Sequence, residues 1–136
     1  HNSMEIINKN GTDRKLYELV APLVMNPAIL RQNNNYPFKT SRRHRWFIAL
    51  DNDSSVAGFL PVRNTTGRPY IDNYYIRGDR EDTIEMLLDA AKKEPEYERT
   101  LTALVHKRHV IAFEKNGFST FLEWKNYHKM DYNGKT

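Results

Sequence analysis

Apolar residues recur along this chain in two rhythms, and the points where one gives way to the other outline its elements. Met4-Glu5-Ile6-Ile7 opens as a short alternating strand, and Asn10-Gly11-Thr12-Asp13 supplies a turn with Thr12 as the candidate helix N-cap. Leu16, Leu19, Val20, Leu23 and Val24 then fall on one stripe at helical spacing, where Pro22 predicts a kink or an end to the first part of the helix. Asn26-Pro27 reads as the cap and first position of a second short helix running to about Gln32, and Asn33-Asn34-Asn35-Tyr36-Pro37 as loop. Alternation returns from Arg45 to Asp51 and, after Asn52-Asp53-Ser54, from Ser55 to Val62, which predicts a hairpin. A third antiparallel strand, Tyr70 to Ile76, follows the turn signal Thr66-Gly67-Arg68-Pro69. Asp82 with Glu85 forms a capping-box pattern ahead of the stripe Ile84, Leu87, Leu88 and Ala91, and Pro95 stops that helix. Thr100 to Val105 reads as strand, Lys107 to Asn116 as a helix closed by Gly117, and Phe118 to Tyr132 as two strands around Trp124 to Asn126.

The resulting order is β, α, α, β, β, β, α, β, α, β, β. A strand–helix–strand step from Tyr70 to Val105 favours a parallel crossover, so a mixed sheet with helices on its faces is the expected architecture. With 136 residues the chain has the size of one domain, expected over residues 4–132, with a short tail at 133–136. His1-Asn2-Ser3 before Met4 reads as an expression remnant. No apolar run reaches the length of about 18 residues that a membrane span needs, and a soluble, cytoplasmic protein without membrane contact is expected. The absence of cysteine excludes disulfides, thiolate metal sites and a cysteine nucleophile. A net charge of +4 favours an anionic partner without choosing among coenzymes, nucleic acid and acidic peptides. The densest basic run, Lys39 to Arg45, is either a phosphate contact or a solvated loop.

Four segments, in this order, resemble the GNAT N-acetyltransferases. Trp46 to Asp51 followed by Val56-Ala57-Gly58-Phe59 is similar to the family's first hairpin with its Val-x-Gly-Phe. Ile71-Asp72-Asn73-Tyr74-Tyr75-Ile76 resembles its fourth strand, Ala112 to Phe118 the signature near its last helix, and Asn126 to Met130 its final strand. The resemblance spans about Met4 to Tyr132 and implies an α/β (α+β) fold: a mostly antiparallel twisted sheet of six to seven strands flanked by about four helices.

It also implies acetyl-CoA as co-substrate, with no metal, and an amine as acceptor. The family seats the coenzyme's pyrophosphate on backbone N–H groups of a glycine-rich loop at a helix N-terminus. Here that segment is Arg77-Gly78-Asp79-Arg80-Glu81-Asp82, in which the later glycines are missing and three carboxylates face two arginines. Either Arg77 and Arg80 replace the backbone donors with guanidinium forks, or coenzyme A binds poorly or not at all. The implied coenzyme contacts are Ile76, Arg77, Gly78, Arg80, Thr83 and His106. Asp72 stands where many members carry a general base, or is a polar residue on a strand's wet side. The family's acidic tyrosine is replaced by Phe113, which donates nothing, so Tyr74, Tyr75 and Tyr127 are the substitute candidates, Tyr74 and Tyr127 foremost, against a reading of all three as packing. His106 and His109 have a spacing that suits a metal, but no further ligand lies near them in sequence.

The expected function is acyl-CoA-dependent N-acyl transfer, leaning to an enzyme that acetylates an amine of a small molecule or protein. The alternatives are a GNAT-fold binding or regulatory protein that has lost acetyl-CoA use, and a nucleic-acid-modifying GNAT-fold protein of the Mom type. A homodimer is an expectation from the resemblance alone.

Overall fold

A strand that is apolar on both sides needs cover on both sides. β2 (His44–Leu50) is such a strand: Trp46 and Ile48 face one way, Phe47 and Ala49 the other, and all four are buried. In the computed structural model, which describes residues 4–66, 68–97 and 100–134, it lies inside a mixed sheet with helices on each face. The expected remnant at residues 1–3, Gly67 of the expected turn, and the end of the tail lie outside the described residues.

The strands are β1 (Glu5–Asn10), β2, β3 (Val56–Thr65), β4 (Arg68–Ile71), β5 (Tyr75–Ile76), β6 (Thr100–His106), β7 (Phe118–Glu123) and β8 (Tyr127–Asn133). Across the sheet they run β1-β2-β3-β4-β6-β8-β7, with β5 pairing beside β4 on β3. Every pairing is antiparallel except β4 with β6, the predicted parallel crossover. Helices α1 (Arg14–Val24) and α2 (Pro27–Gln32) belong to one side, and α3 (Glu81–Lys92) and α4 (Val110–Lys115) to the other. Leu16 and Val20 of α1 pack on Trp46, Ile48 and Phe59. Ile84, Leu87, Leu88 and Ala91 of α3, with Ala112 and Phe113 of α4, complete the larger core on the opposite face.

The side chains on the α1 face of β4, β6 and β8, among them Tyr70, Thr102 and Lys129, are only partly buried. Arg63, Lys129 and Trp124 form a cation–aromatic chain around Tyr70 there.

Four local expectations need correction. The N-cap of α1 is Asp13, not Thr12: its carboxylate accepts Lys15 N–H at 2.8 Å, and its charge complements the helix dipole. Pro22 does not end α1, which runs two residues further to Val24; the carbonyl that loses its partner is that of exposed Glu18. Asp82 is not a cap either. Arg80 holds that position in extended conformation, and Asp82 sits in the first turn, accepting from Thr83 N at 2.8 Å and Arg80 Nη2 at 2.7 Å.

The strand expected from Tyr70 to Ile76 is broken at Asp72-Asn73-Tyr74. Between the pairs Arg63↔Tyr70 and Phe59↔Tyr75 this side holds one residue more than β3, which is a bulge in effect. The Asn73 side chain helps hold the break by donating to Pro37 O at 3.0 Å, a local alternative to the sheet ladder. Beyond the break β5 follows β3 alone, so β5 and β6 part company.

Candidate active site in the gap between β5 and β6

Both strands that border the gap run straight into helical turns. Ile76 ends β5 and a 3-10 turn, Arg77–Asp79, leads to α3; His106 ends β6 and a second 3-10 turn, Lys107–His109, leads to α4. Gly78 (φ 66°) and Asp79 (φ 54°) are both left-handed, which glycine adopts freely and aspartate only at a cost. This pair of turns bends Asp79 across the mouth of the gap.

The polar side chains inside form two chains of hydrogen bonds. In the first, the carboxylate of Asp79 accepts from Arg108 Nε at 3.0 Å and from His109 Nε2 at 2.7 Å. Because an ionised carboxylate only accepts, His109 carries its proton on Nε2, and its bare Nδ1 takes the hydroxyl proton of Tyr74 at 2.7 Å. The Tyr74 oxygen in turn accepts the backbone N–H of His106 at 3.2 Å. In the second chain, Asn33 Nδ2 donates to Tyr36 O and to Asn73 Oδ1, which leaves Asn33 Oδ1 to accept His106 Nε2–H at 3.0 Å. His106 Nδ1 is then an unprotonated acceptor, buried and without a partner.

These environments set the charge states. Burial, with the nearby guanidinium of Arg108, pushes the His106 pKa down to about 3, so the ring is neutral. Burial also lowers His109 despite the bond from Asp79, and raises the Tyr74 hydroxyl. Burial works to raise Asp79, but the hydrogen bonds of Arg108 and His109 outweigh it and hold the carboxyl below its usual range.

Of the residues expected at the site, the structure brings Tyr74, Ile76, His106 and Tyr127 together: Tyr127 stacks on His106 with ring centres 4.9 Å apart, and its oxygen accepts Asn34 Nδ2 at 2.8 Å. Arg77 and Arg80 flank the mouth on the side of Asp51. Arg77 pairs with the Asp51 carboxylate and reaches Ser55 Oγ at 3.4 Å, while Arg80 pairs with Asp82 and lies 3.9 Å from Asp51. Gly78 supplies the turn, and Thr83, in the first turn of α3, is buried with its hydroxyl 3.8 Å from Met4 Sδ. Asp72 lies outside the gap, half-exposed, 3.9 Å from Arg63 Nη2. Phe113 is fully buried, its ring 5.7 Å from that of Tyr74.

Asn33, Asn73, Asp79 and Arg108 escaped the sequence reading as site residues, and His109 entered it only beside His106, as a spacing that suits a metal. Asn33 lay in a polar run legible only as loop, and nothing in the spacing links Asp79 to residues some thirty positions on. The charge balance changes as well. Arg108 and Lys115, brought from the far side of the gap, answer Asp79 and Glu81, so the loop's acids are paired.

As it stands the gap is closed: the cavity lined by Asn33, Tyr74, Ile76, His106, Arg108 and His109 is about 10 Å³, room for about one water. Larger cavities, about 440 and 500 Å³, lie on the open sheet face by Arg63, Arg68, Tyr70, Phe121 and Lys129, away from the polar chains.

Solved structures resemble this architecture over nearly its whole length. PaiA N-acetyltransferase from Thermoplasma acidophilum, in complex with coenzyme A, superposes with a TM-score of 0.59 at 16% identity, covering 96% of this chain and 99% of its own. The chain has the GNAT N-acetyltransferase fold. Campylobacter jejuni N-acetyltransferase PseH with acetyl coenzyme A gives 0.60 at 17% identity (96% and 100% covered), and Escherichia coli ElaA gives 0.67 at 10% identity (96% and 99% covered). No family model matches the chain, and no curated protein matches it significantly. In GNAT terms the broken strand β4–β5 is the fourth strand of the sequence resemblance, and the closed gap lies where that strand leaves β6.

Proposed function

We propose that this protein is an acyl-CoA-dependent N-acyltransferase that acetylates an amine of a small molecule or a protein. The observation that carries the reading is the departure of β5 from β6 at the N-terminus of α3, in a fold shared with proteins solved with coenzyme A or acetyl coenzyme A. In such a reaction the amine nitrogen attacks the thioester carbonyl, the C–S bond breaks, the amine loses a proton and the thiolate gains one. Asp72, half-exposed beside Arg63, is the candidate base for the amine, through water. Of Tyr74 and Tyr127, the tyrosines that meet His109 and His106 in the gap, Tyr127 is the better acid. The Tyr74 proton is claimed by His109, whereas the Tyr127 hydroxyl accepts from Asn34 and has no acceptor for its own proton among the described residues. His106 acts as neither acid nor base. A ring whose pKa is held near about 3 stays neutral, so its Nδ1 serves as an acceptor for a ligand N–H or O–H.

Calorimetric titration of acetyl-CoA tests the reading, with Arg77→Ala/Arg80→Ala as the comparison. Micromolar binding, weakened at least about tenfold in the double variant, is the expected outcome, since each lost charge-assisted contact to phosphate counts for about 1.5–3 kcal/mol. No binding at millimolar ligand sinks it. The second reading, a GNAT-fold protein that binds or regulates without transferring, is favoured by the closed gap and by Phe113; it predicts no heat from acetyl-CoA in a chain that is folded.

A further inference from the structure

Three arginines surround the mouth of the gap, and each faces a carboxylate, but the pairs differ in how they are built. Arg77 pairs with Asp51, a strand-end residue whose side chain is mostly covered. Arg80 pairs with Asp82, two positions away in sequence and both on the exposed start of α3. Arg108 and His109 instead reach across the gap to Asp79 on the opposite wall. His109 is fixed: its side chain is 3% exposed, and its other nitrogen is tied to Tyr74. Arg108 is steadied by a second contact to Gln32 O at 3.4 Å. The Asp79 side chain is 52% exposed and hangs from two consecutive left-handed residues, so the acceptor is the exchangeable member of this cluster and the donors are the permanent ones.

We propose that Arg108 and His109 form an anion-binding pair, occupied at present by the chain's own Asp79 carboxylate, and that a phosphate group of an acyl-CoA takes over that place. This rests on the acyl-CoA reading above. A phosphate presents more acceptor oxygens than a carboxylate and keeps both donated hydrogens, Arg108 Nε–H and His109 Nε2–H, in use. Asp79 cannot stay, because two anions cannot share the same donors at contact distance. Its release swings the loop on Gly78 and widens a cavity that now admits about one water. Asp79 thereby acts as a competitor tethered to the site, and the apparent affinity for coenzyme is lowered by the fraction of molecules in which the clamp is shut.

The test compares wild type, Asp79→Asn and Arg108→Gln in calorimetric titrations with coenzyme A and, separately, with inorganic pyrophosphate. Asparagine matches aspartate in shape and tolerates the left-handed backbone, and Asp79→Gly is the second variant should the first fail to fold. Removing the tethered anion is expected to tighten coenzyme A binding about tenfold, and removing the arginine to weaken it about tenfold. In the double variant the gain from Asp79→Asn should vanish, since both changes act on one contact. Coenzyme A binding equally well to wild type and Asp79→Asn, with Arg108→Gln neutral, overturns the clamp and leaves the acyl-CoA reading standing. Pyrophosphate binding to Asp79→Asn that depends on Arg108, without any coenzyme A binding, keeps the anion pair and removes the acyl-CoA reading. Neither ligand binding any variant overturns both.

Discussion

His106 shows how one side chain acquires a property its residue type does not announce. It is 4% exposed, its Nε2–H is given to Asn33, and its Nδ1 has no partner. A buried imidazole without an anion resists protonation, so its folded pKa lies near about 3 against 6.5 in a free side chain. Between those values the unfolded chain takes up a proton that the folded chain refuses, and stability therefore falls as pH drops from 6.5 toward 3. His109 and His44, also lowered chiefly by burial, act in the same direction. The carboxylates held low, Asp53, Asp79 and Asp82, add their loss only below the ordinary carboxylate range. Urea unfolding at pH 7, 6 and 5 should show stability decreasing on acidification, with a shallower slope for His106→Asn. One proton corresponds to at most about 1.4 kcal/mol per pH unit. Identical slopes would mean that His106 is not the desolvated group described.

At the scale of elements, the junction of β3, β5 and α3 is set by the absence of a side chain. A Cβ on Gly58 would stand 2.7 Å from Tyr75 O and 3.2 Å from Thr83 Cγ2. The first contact is with backbone and cannot yield, so Gly58→Ala pushes β5 off β3 and is expected to cost about 1–3 kcal/mol, read from the urea midpoint. An unchanged midpoint would contradict the close pairing of Gly58 with Ile76. The glycine was visible in Val56-Ala57-Gly58-Phe59, but only as part of a resemblance; its reason is the neighbour it lets in. The helices were legible because their apolar stripes repeat within a few residues, and the Asn26-Pro27 start of α2 because a cap is a contact between near neighbours. Thr12 and Asp82 misled because several residues in each turn could cap, and the turn's own geometry chose. The break at Asp72-Asn73-Tyr74 was not legible: the residues favour strand, and Asn73 is drawn away by Pro37, some 36 positions earlier.

Across the whole molecule, the gap divides a sheet whose two halves meet through a single short parallel pairing, Tyr70↔Thr102 and Ile71↔Ala103, and through the core beneath it. A ligand seated in the gap touches both halves and exists as a bound species only on the folded chain. Acetyl-CoA at about a hundred times its dissociation constant should then raise the unfolding free energy by about 2.7 kcal/mol, seen as a higher thermal midpoint. Calorimetric binding without any such rise would place the heat on something other than the native gap.

By itself the sequence determined the order of elements, the two helical stripes and the parallel crossover, because burial imprints a period on neighbouring residues and a period can be read along a chain. It also carried the resemblance that implied the fold. Only the tertiary structure decided which polar groups share the gap. His106 meets Asn33 across 73 positions and Asp79 meets His109 across 30, through a one-residue bulge and two left-handed residues that no periodicity encodes. Hydrogen-bond pairing between distant side chains depends on angles fixed by the finished fold, so the chain's chemistry became readable only where the strands part.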